Sequence, residues 1–123
     1  MLVERKTLLQ RLVVGDIFHA KAPNGASLIC LVTHVSKTQI EARRVTTQEV
    51  VRVDRRTGLG KLGARRVACS IDSVAPLPTA IHNEMLGIDR KFRLAQNEAA
   101  LKLTSSERKA LLFIGSFYSK RPI

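Results

Sequence analysis

The sequence predicts an α+β domain in which a small antiparallel β-barrel, or a strongly curved sheet, is followed by two C-terminal helices. Short segments rich in Leu, Ile and Val alternate with turn residues between about 13 and 75, a spacing that is typical of small barrels. From Thr79 onward, apolar residues recur every three or four positions, which is the period of a helix. Because 123 residues are enough for one core, we expect a single domain over 1–123, with its helical part over 79–118.

Five strands are predicted in the β part, separated by turns. Residues 23–25, Pro-Asn-Gly, predict a turn because proline presets φ and Asn-Gly tolerates a positive φ. The segment 27–36 is apolar on both faces, as expected of a strand that is central or bends across a closed barrel. The alternation slips at 43–45, which predicts a bulge, and the glycines and cations of 55–63 predict an exposed, mobile loop. The predicted strands are 17–21, 27–36, 39–46, 49–54 and 65–74.

Helices are predicted at both ends of the chain. Leucine spacing within 1–12 predicts a short N-terminal helix. In the helix that starts at Thr79, Gly87 weakens the pattern, so a split at that point is the alternative to one continuous helix. Residues 104–107, Thr-Ser-Ser-Glu, form a capping-box pattern that opens a further helix through about Tyr118. The tail, 119–123, is expected to fray.

Three features of the β part resemble a known architecture. The Gly-Asp at 15–16, the Asn-Gly hairpin at 24–25 and the short strands are similar to SH3-like and Sm-like small barrels in general. The resemblance covers about 13–75 and concerns architecture alone. The glycine-and-basic signature of the KOW type is not present in its usual order, so no functional residue is carried over.

The charge of the chain is strongly positive, since 21 Lys and Arg stand against 10 Asp and Glu, a formal net charge of +11. The excess of positive charge per residue is highest over 37–75, where six of the seven arginines form adjacent pairs. Strand pairing across the glycine-rich loop would bring like charges together, which costs stability unless an anion neutralises them. The planar fork of arginine suits phosphate. The side chains predicted to contact phosphate are Arg43, Arg44, Arg52, Arg55, Arg56, Lys61, Arg65 and Arg66.

The function that this charge favours is binding of nucleic acid through the phosphate backbone. Aromatic residues are 4% of the chain, and Phe18 is the one aromatic of the β part that could stack on a base. We therefore expect recognition of the backbone or of duplex shape rather than sequence-specific reading of a single strand. DNA and RNA are equally compatible with this pattern, and a solubilising basic face is the simplest alternative.

An alternative from another class is a non-enzymatic assembly or adaptor module whose basic face binds an acidic protein. The segment 111–118 is apolar nearly all round, so it needs cover either from the barrel of the same chain or from a second copy. In the second case, a homo-oligomer would form through Leu111, Ile114, Phe117 and Tyr118.

No motif argues for an enzyme, a cofactor or a metal. Segment 58–63, Gly-Leu-Gly-Lys-Leu-Gly, lacks the Ser or Thr and the helix that follow a nucleotide-binding glycine loop. Cys30 and His34 can share one face of a strand, but metal sites show paired Cys or His at short spacing. His82 and Glu84 are two apart on a helix and so do not face each other. We expect no catalytic residue, no cofactor and no metal ligand.

The sequence also predicts the compartment. Residues 1–6 lack the apolar core of a signal peptide, and no run of about 18 apolar residues could span a membrane. We therefore expect a cytoplasmic protein without a membrane partner. In a reducing compartment, Cys30 and Cys69 are expected to be small buried hydrophobic residues without a disulfide.

Overall fold

Six antiparallel strands close into a barrel, with one short helix before them and two helices after them. The computed structural model describes residues 4–95 and 102–123. In chain order the elements are α1 (Arg5–Gln10), β1 (Ile17–Lys21), β2 (Ser27–Val35), β3 (Gln39–Arg44), β4 (Val50–Asp54), β5 (Leu59–Leu62), β6 (Val67–Ser73), α2 (Thr79–Leu94) and α3 (Ser105–Ser119). Consecutive strands pair, and β1 also pairs with β6, which closes the ring. The predicted α+β class, with a small SH3-like or Sm-like barrel and two C-terminal helices, is confirmed.

The sixth strand, β5, lies inside the segment 55–63, where the glycines predicted a mobile loop. That prediction is wrong, because β5 pairs with β4 on one side and with β6 on the other. A Cβ placed on Gly60 would lie 2.0 Å from the carbonyl oxygen of Arg52 and 2.6 Å from Cα of Val53. Glycine at this position therefore permits close approach of two strands rather than mobility.

The prediction of a bulge at 43–45 is wrong, and an irregularity lies on the neighbouring strand instead. β3 pairs with β4 without interruption, whereas the register of β2 against β3 shifts between Val32 and His34. Thr33, the residue between them, donates its hydroxyl to the carbonyl of Glu41 at 3.2 Å. The alternation breaks at 43–45 because β3 ends there and a turn follows.

The barrel interior is apolar, and α1 covers one of its ends. Phe18 is completely buried in the interior, and Leu9 of α1 and Leu12 just after it belong to the same cluster. Cys30 and Cys69 are buried and free, as expected. Burial raises the pKa of both thiols, so neither is a reactive thiolate.

α2 and α3 pack on the outer face of the barrel. Ile17 of β1 and Leu31 of β2 point outward and form one buried cluster with Ile88 of α2 and Ile114 of α3. Burial of each such side chain contributes about 1.5–3 kcal/mol relative to leaving it exposed. α2 runs without a break through Gly87, so the alternative of a split helix is wrong.

The apolar face of α3 is covered by its own chain. Ile114, Phe117 and Tyr118 are buried, and Leu111 is partly buried against the same cluster. The ring of Tyr118 packs against His19 of β1, with ring centroids 5.2 Å apart. The sequence allowed two ways to bury this face, against the barrel of the same chain or against a second copy, and the structure shows it against the barrel. Ile114, Phe117 and Tyr118 therefore have their cover within the chain, and the homo-oligomer stays a prediction.

Two buried acids hold α2 against the barrel and α3 against α2. Asp89 of α2 receives two hydrogen bonds from the guanidinium of Arg43 in β3, at 2.9 and 2.8 Å, and a third from the side-chain amide of Gln48 at 2.8 Å. Glu107 of α3 pairs with Lys91 of α2. Glu107 also completes the predicted capping box at the start of α3. Removing the cation of either pair leaves a buried carboxylate without its charge partner, which is destabilising.

The C-terminal tail is docked, so the prediction that it frays is wrong. The amide of Ile123 donates to the carbonyl of Asp72 at 2.9 Å, and the hydroxyl of Ser73 donates to the carbonyl of Arg121 at 2.6 Å. Ile123 itself packs against the barrel core. The tail therefore makes hydrogen bonds with Asp72 and Ser73 at the C-terminal end of β6.

These acids predict how stability depends on pH. Burial alone would raise the pKa of Asp89 and Glu107, but hydrogen bonds from Arg43 and Gln48 to the first, and from Lys91 and the Thr104 amide to the second, hold each pKa below its ordinary value. The folded state then binds fewer protons than the unfolded state, so the stabilisation is complete above about pH 5 and is lost as the pH falls below about 4.

Urea unfolding between pH 3 and 7 measures this dependence. We expect Asp89→Asn and Glu107→Gln to be less stable than the native protein at pH 7 and to lose less stability on acidification. Parallel pH curves for the native protein and both variants would contradict the assignment.

Candidate nucleic-acid interface

One side of the barrel wall is left uncovered by the helices. In a closed ring of six strands, β2 lies across from β5, so helices packed over β1 and β2 leave the outer surface of β4, β5 and β6 open to solvent. An open groove of about 600 Å³ runs along this surface. We call it the basic groove. Its lining residues are Thr38, Gln39, Val50, Arg52, Val53, Asp54, Leu59, Lys61, Gly63, Ala64 and Arg66.

The floor of the basic groove carries a row of cross-strand partners. Glu41 of β3 stands opposite Arg52 of β4, which stands opposite Lys61 of β5, which stands opposite Ala68 of β6. Directly opposed side chains have Cβ atoms about 4.5–5.5 Å apart, and like charges at that distance repel. Arg52 has Glu41 at 3.5 Å. Within the described part of the chain, Lys61 has no acidic partner.

The turn between β4 and β5 presents an arginine at one end of the groove. The Asp54 carboxylate accepts hydrogen bonds from the amides of Arg56 at 2.7 Å and Thr57 at 3.1 Å. These bonds lower the pKa of Asp54 and fix the turn, as an Asx turn does. The side chain of Arg56 is exposed and lies 3.9 Å from the same carboxylate. An exposed pair of this kind contributes little, so the guanidinium can leave it for a ligand.

The turn between β5 and β6 presents two more arginines at the other end. The amide of Arg66 donates to the carbonyl of Gly63 at 3.1 Å, which closes the turn. Arg65 and Arg66 are exposed, and neither pairs with an acid in the described part of the chain. Arg66 has a φ of 54°, a left-handed conformation that few residues other than glycine adopt.

The other three predicted phosphate ligands have partners within the protein. Arg43 is bound to buried Asp89 on the helix-covered side of the barrel. Arg44 lies 3.6 Å from Glu49 and 3.4 Å from the carbonyl of Ser27. The structure thus brings Arg52, Lys61 and Arg66 into one groove lining, with Arg56 and Arg65 exposed in the turns at its two ends, whereas Arg43 is engaged by Asp89.

Arg55 has a structural role that its sequence context did not indicate. Its guanidinium donates to the carbonyls of Ser36 at 2.7 Å, Gln10 at 2.9 Å and Leu12 at 2.8 Å. It therefore ties the C-terminal end of α1 and the turn between β2 and β3 to the end of β4. Its terminal nitrogens are therefore engaged by protein carbonyls.

Polar groups that the charge pattern missed also line the groove. Thr38 and Gln39 stand beside the cations and supply hydrogen-bonding groups of the kind that contact phosphate and sugar. The register of Gln39 opposite Asp54 places it there, and that register becomes visible only once the strands are aligned.

Among the residues that the structure describes, none that lines the groove is aromatic. Phe18, which the sequence offered as a base-stacking residue, is completely buried in the barrel core. That possibility is therefore excluded. The exposed large apolar side chains of the groove lining are Leu59 and Val50. Neither has a flat ring on which a base could stack.

Other chemistry is not evident in the parts of the chain that the structure describes. Over residues 4–95 and 102–123, no three His, Cys, Asp or Glu side chains are grouped closely enough to hold a metal ion. Among the helices of the same residues, none combines the length and the apolar character needed to cross a membrane. His34 is exposed while Cys30 is buried, so those two residues do not form a common site.

Comparison with protein-family models, with curated proteins and with solved structures gives no match for this chain.

Because their contacts differ, adjacent Arg55 and Arg56 are expected to respond differently to the same substitution: stability falls for the first and is nearly unchanged for the second. Arg55→Gln removes donors to three carbonyls, and we expect it to lower the free energy of unfolding by about 2 kcal/mol, since hydrogen bonds to charged groups contribute about 1.5–3 kcal/mol. Arg56→Gln is the matched control, for which a change within about 0.5 kcal/mol is expected. Urea unfolding of both variants makes the comparison. Equal stability would show that the carbonyl contacts of Arg55 do not hold the fold.

Proposed function

We propose that the protein binds nucleic acid through its phosphate backbone, which lies along the basic groove. The observation that carries this proposal is the position of Lys61. It stands opposite Arg52, whereas the acid of this row, Glu41, lies two strands away on β3. Lys61 also shares the groove lining with Arg66. This arrangement costs repulsion in the free protein, and a polyanion in the groove relieves that cost.

The spacing of the cations fits an extended polyanion better than a small ligand. β5 has four residues and therefore spans about 13 Å at the usual rise of a strand. Arg56 lies beyond one end, Arg65 beyond the other, and Lys61 between them. A single strand of a duplex carries one charge for about every 3.4 Å of helix axis. Several phosphates can therefore contact the groove at once.

The acids of the groove leave the cations available. The pairs of Arg52 with Glu41 and of Arg56 with Asp54 are 3.5 and 3.9 Å long, and the cation of each is well exposed. Exposed pairs contribute little, less than the charge-assisted bonds that replace them on a phosphate. Five cations against three acids, Glu41, Asp54 and Glu49, whose carboxylate lies beside Gly63 of the lining, leave the surface positive.

The same lining argues for contact with the backbone rather than with bases. Phosphate contacts position a protein without reading sequence, and the groove offers no ring on which an unpaired base could stack. We therefore assign a duplex, recognised by its backbone and shape, as the ligand. The five residues that carry the interaction are Arg52, Arg56, Lys61, Arg65 and Arg66.

A salt titration tests the proposal. In a variant with Lys61→Gln, Arg65→Gln and Arg66→Asn, asparagine is used at 66 because it tolerates a positive φ. We expect the slope of log K against log salt to flatten by up to about 3, near one for each lost phosphate contact. Affinity should fall equally for unrelated duplex sequences. Fluorescence anisotropy with a 20-base-pair duplex at several salt concentrations gives both quantities.

A charge-matched control separates the groove from net charge. Lys6, Arg11 and Lys120 are exposed and lie outside the groove lining, so their replacement by Gln removes the same three charges. We expect this control to keep most of the native slope. Equal effects of the two variants would contradict a site in the groove. Absence of duplex binding by the native protein at low salt would overturn the proposal and favour the acidic-protein adaptor.

A further inference from the structure

A second depression of the barrel wall lies over β6, beside the basic groove. Its volume is about 350 Å³, and its lining is mostly apolar. Residues 68–70 of β6 form its floor, Leu59 of β5 lies on one side, and Ala22 and Pro23 lie on the other, where β1 leads into the turn before β2. We call this depression the β6 pocket.

The strand ladder of the barrel is open along the floor of the β6 pocket. β6 pairs with β5 over 67–70, whereas its pairing with β1 begins only at Ser70, which stands opposite Lys21. Continuing that register by two residues would place Pro23 opposite Ala68. Proline has no N–H to donate to a ladder, and the chain turns away at Pro23. β1 therefore leaves β6 before it reaches Ala68.

The open edge presents the backbone of Ala68 to the pocket. The amide of Ile71 donates to the carbonyl of Gly58, just before β5, at 2.9 Å. Along an antiparallel strand, residues that bond to one neighbour alternate with residues that face the other. Cys69 therefore bonds toward β5, and the amide and carbonyl of Ala68 point toward the pocket. Among the described residues, no strand pairs with Ala68 on that side, so one donor and one acceptor are available there.

The β6 pocket adjoins the cations of the basic groove. Leu59 lines both depressions, and Ala68 stands directly opposite Lys61. Directly opposed residues have Cβ atoms about 4.5–5.5 Å apart. A polyanion whose phosphate contacts Lys61 therefore passes beside the pocket, and the group attached to that phosphate lies within reach of Ala68.

An unpaired nucleobase has the chemistry that this pocket accommodates. Its faces are flat, and apolar side chains such as those of Leu59 and Pro23 can enclose a base that has left the stack. Its edge carries hydrogen-bonding groups; adenine, for example, presents N7 as an acceptor beside the N6 amino group as a donor. The amide of Ala68 can donate to the first, and its carbonyl can accept from the second. The methyl side chain of Ala68 leaves the floor open for the ring.

We propose that the β6 pocket binds one unpaired nucleobase of the nucleic acid that lies in the basic groove. The phosphate next to that base contacts Lys61, and the edge of the base bonds to the backbone of Ala68. This inference rests on the proposed function and refines it. The preferred ligand is a duplex that carries an extrahelical nucleotide rather than a fully paired duplex.

Fluorescence anisotropy with three 20-base-pair duplexes tests the inference. The first duplex has a single unpaired adenine at its centre, the second has an abasic residue at the same position, and the third is fully paired. We expect the native protein to bind the adenine bulge about tenfold more tightly than the abasic bulge, as two additional hydrogen bonds would give. Because both bulges carry the same phosphates, the ratio of their affinities should not change with salt.

A filled pocket should remove the preference. In Ala68→Leu the larger side chain occupies the floor, and the ratio of the two bulge affinities is expected to fall to about one. The ratio cancels any change in the affinity of the groove itself. Ala80→Leu is the matched control, because Ala80 is exposed like Ala68 but lies at the start of α2, outside the pocket. We expect this control to keep the preference of the native protein.

A second measurement needs no variant. In nuclear magnetic resonance spectra of the native protein, the amide signal of Ala68 should move on addition of the adenine bulge and stay in place with the abasic bulge. Signals of the β5 amides should move with both, since both ligands place phosphates in the groove.

The outcomes separate the inference from the proposed function. Equal affinities of the native protein for the adenine and abasic bulges overturn the inference, leave the proposed function intact, and leave the open edge of β6 for another occupant such as an extended peptide. A preference that persists in a folded Ala68→Leu variant, or an Ala68 amide that responds equally to both bulges, also overturns it. Native protein that binds none of the three duplexes overturns both proposals.

Discussion

The buried pair between Arg43 and Asp89 determines which side of the barrel the helices cover. Asp89 is 2% exposed, and a carboxylate at that depth is tolerated only when its hydrogen bonds are satisfied. Arg43 and Gln48 supply those bonds from the end of β3 and the turn after it. α2 cannot shift along the barrel without leaving the charge unpaired. The helical layer is therefore fixed over one half of the wall, and the other half stays exposed.

The arginines of the β part divide accordingly into two groups. Arg43 donates to Asp89, and the terminal nitrogens of Arg55 donate to three backbone carbonyls. Arg52, Arg56 and Arg66 extend into solvent on the uncovered half. The first group holds α1 and α2 to the barrel, and the second group is free to bind a ligand. One residue type thus serves both structure and the proposed function.

Hydrophobic periodicity was sufficient to predict the barrel and the two C-terminal helices. It also predicted that β2 would be buried on both faces, which is why helices cover its outer side. β5 was missed because four residues with a glycine are too short to show alternation. The partners of Arg55 could not be foreseen, since backbone carbonyls carry no signature in a sequence. Asp89 did leave a signal, because an acid beside Ile88 on the apolar face of α2 requires a buried cation.

The division of the arginines is also the part of this account most open to direct measurement. Arginine side chains give separate Nε–Hε signals in nuclear magnetic resonance spectra, which a titration with a 20-base-pair duplex can follow residue by residue. The account predicts that the signals of Arg52, Arg56, Arg65 and Arg66 move together with the β5 amides, while those of Arg43 and Arg55 stay in place. Equal movement of Arg43 and Arg55, or binding that leaves the β5 amides unchanged, would contradict it.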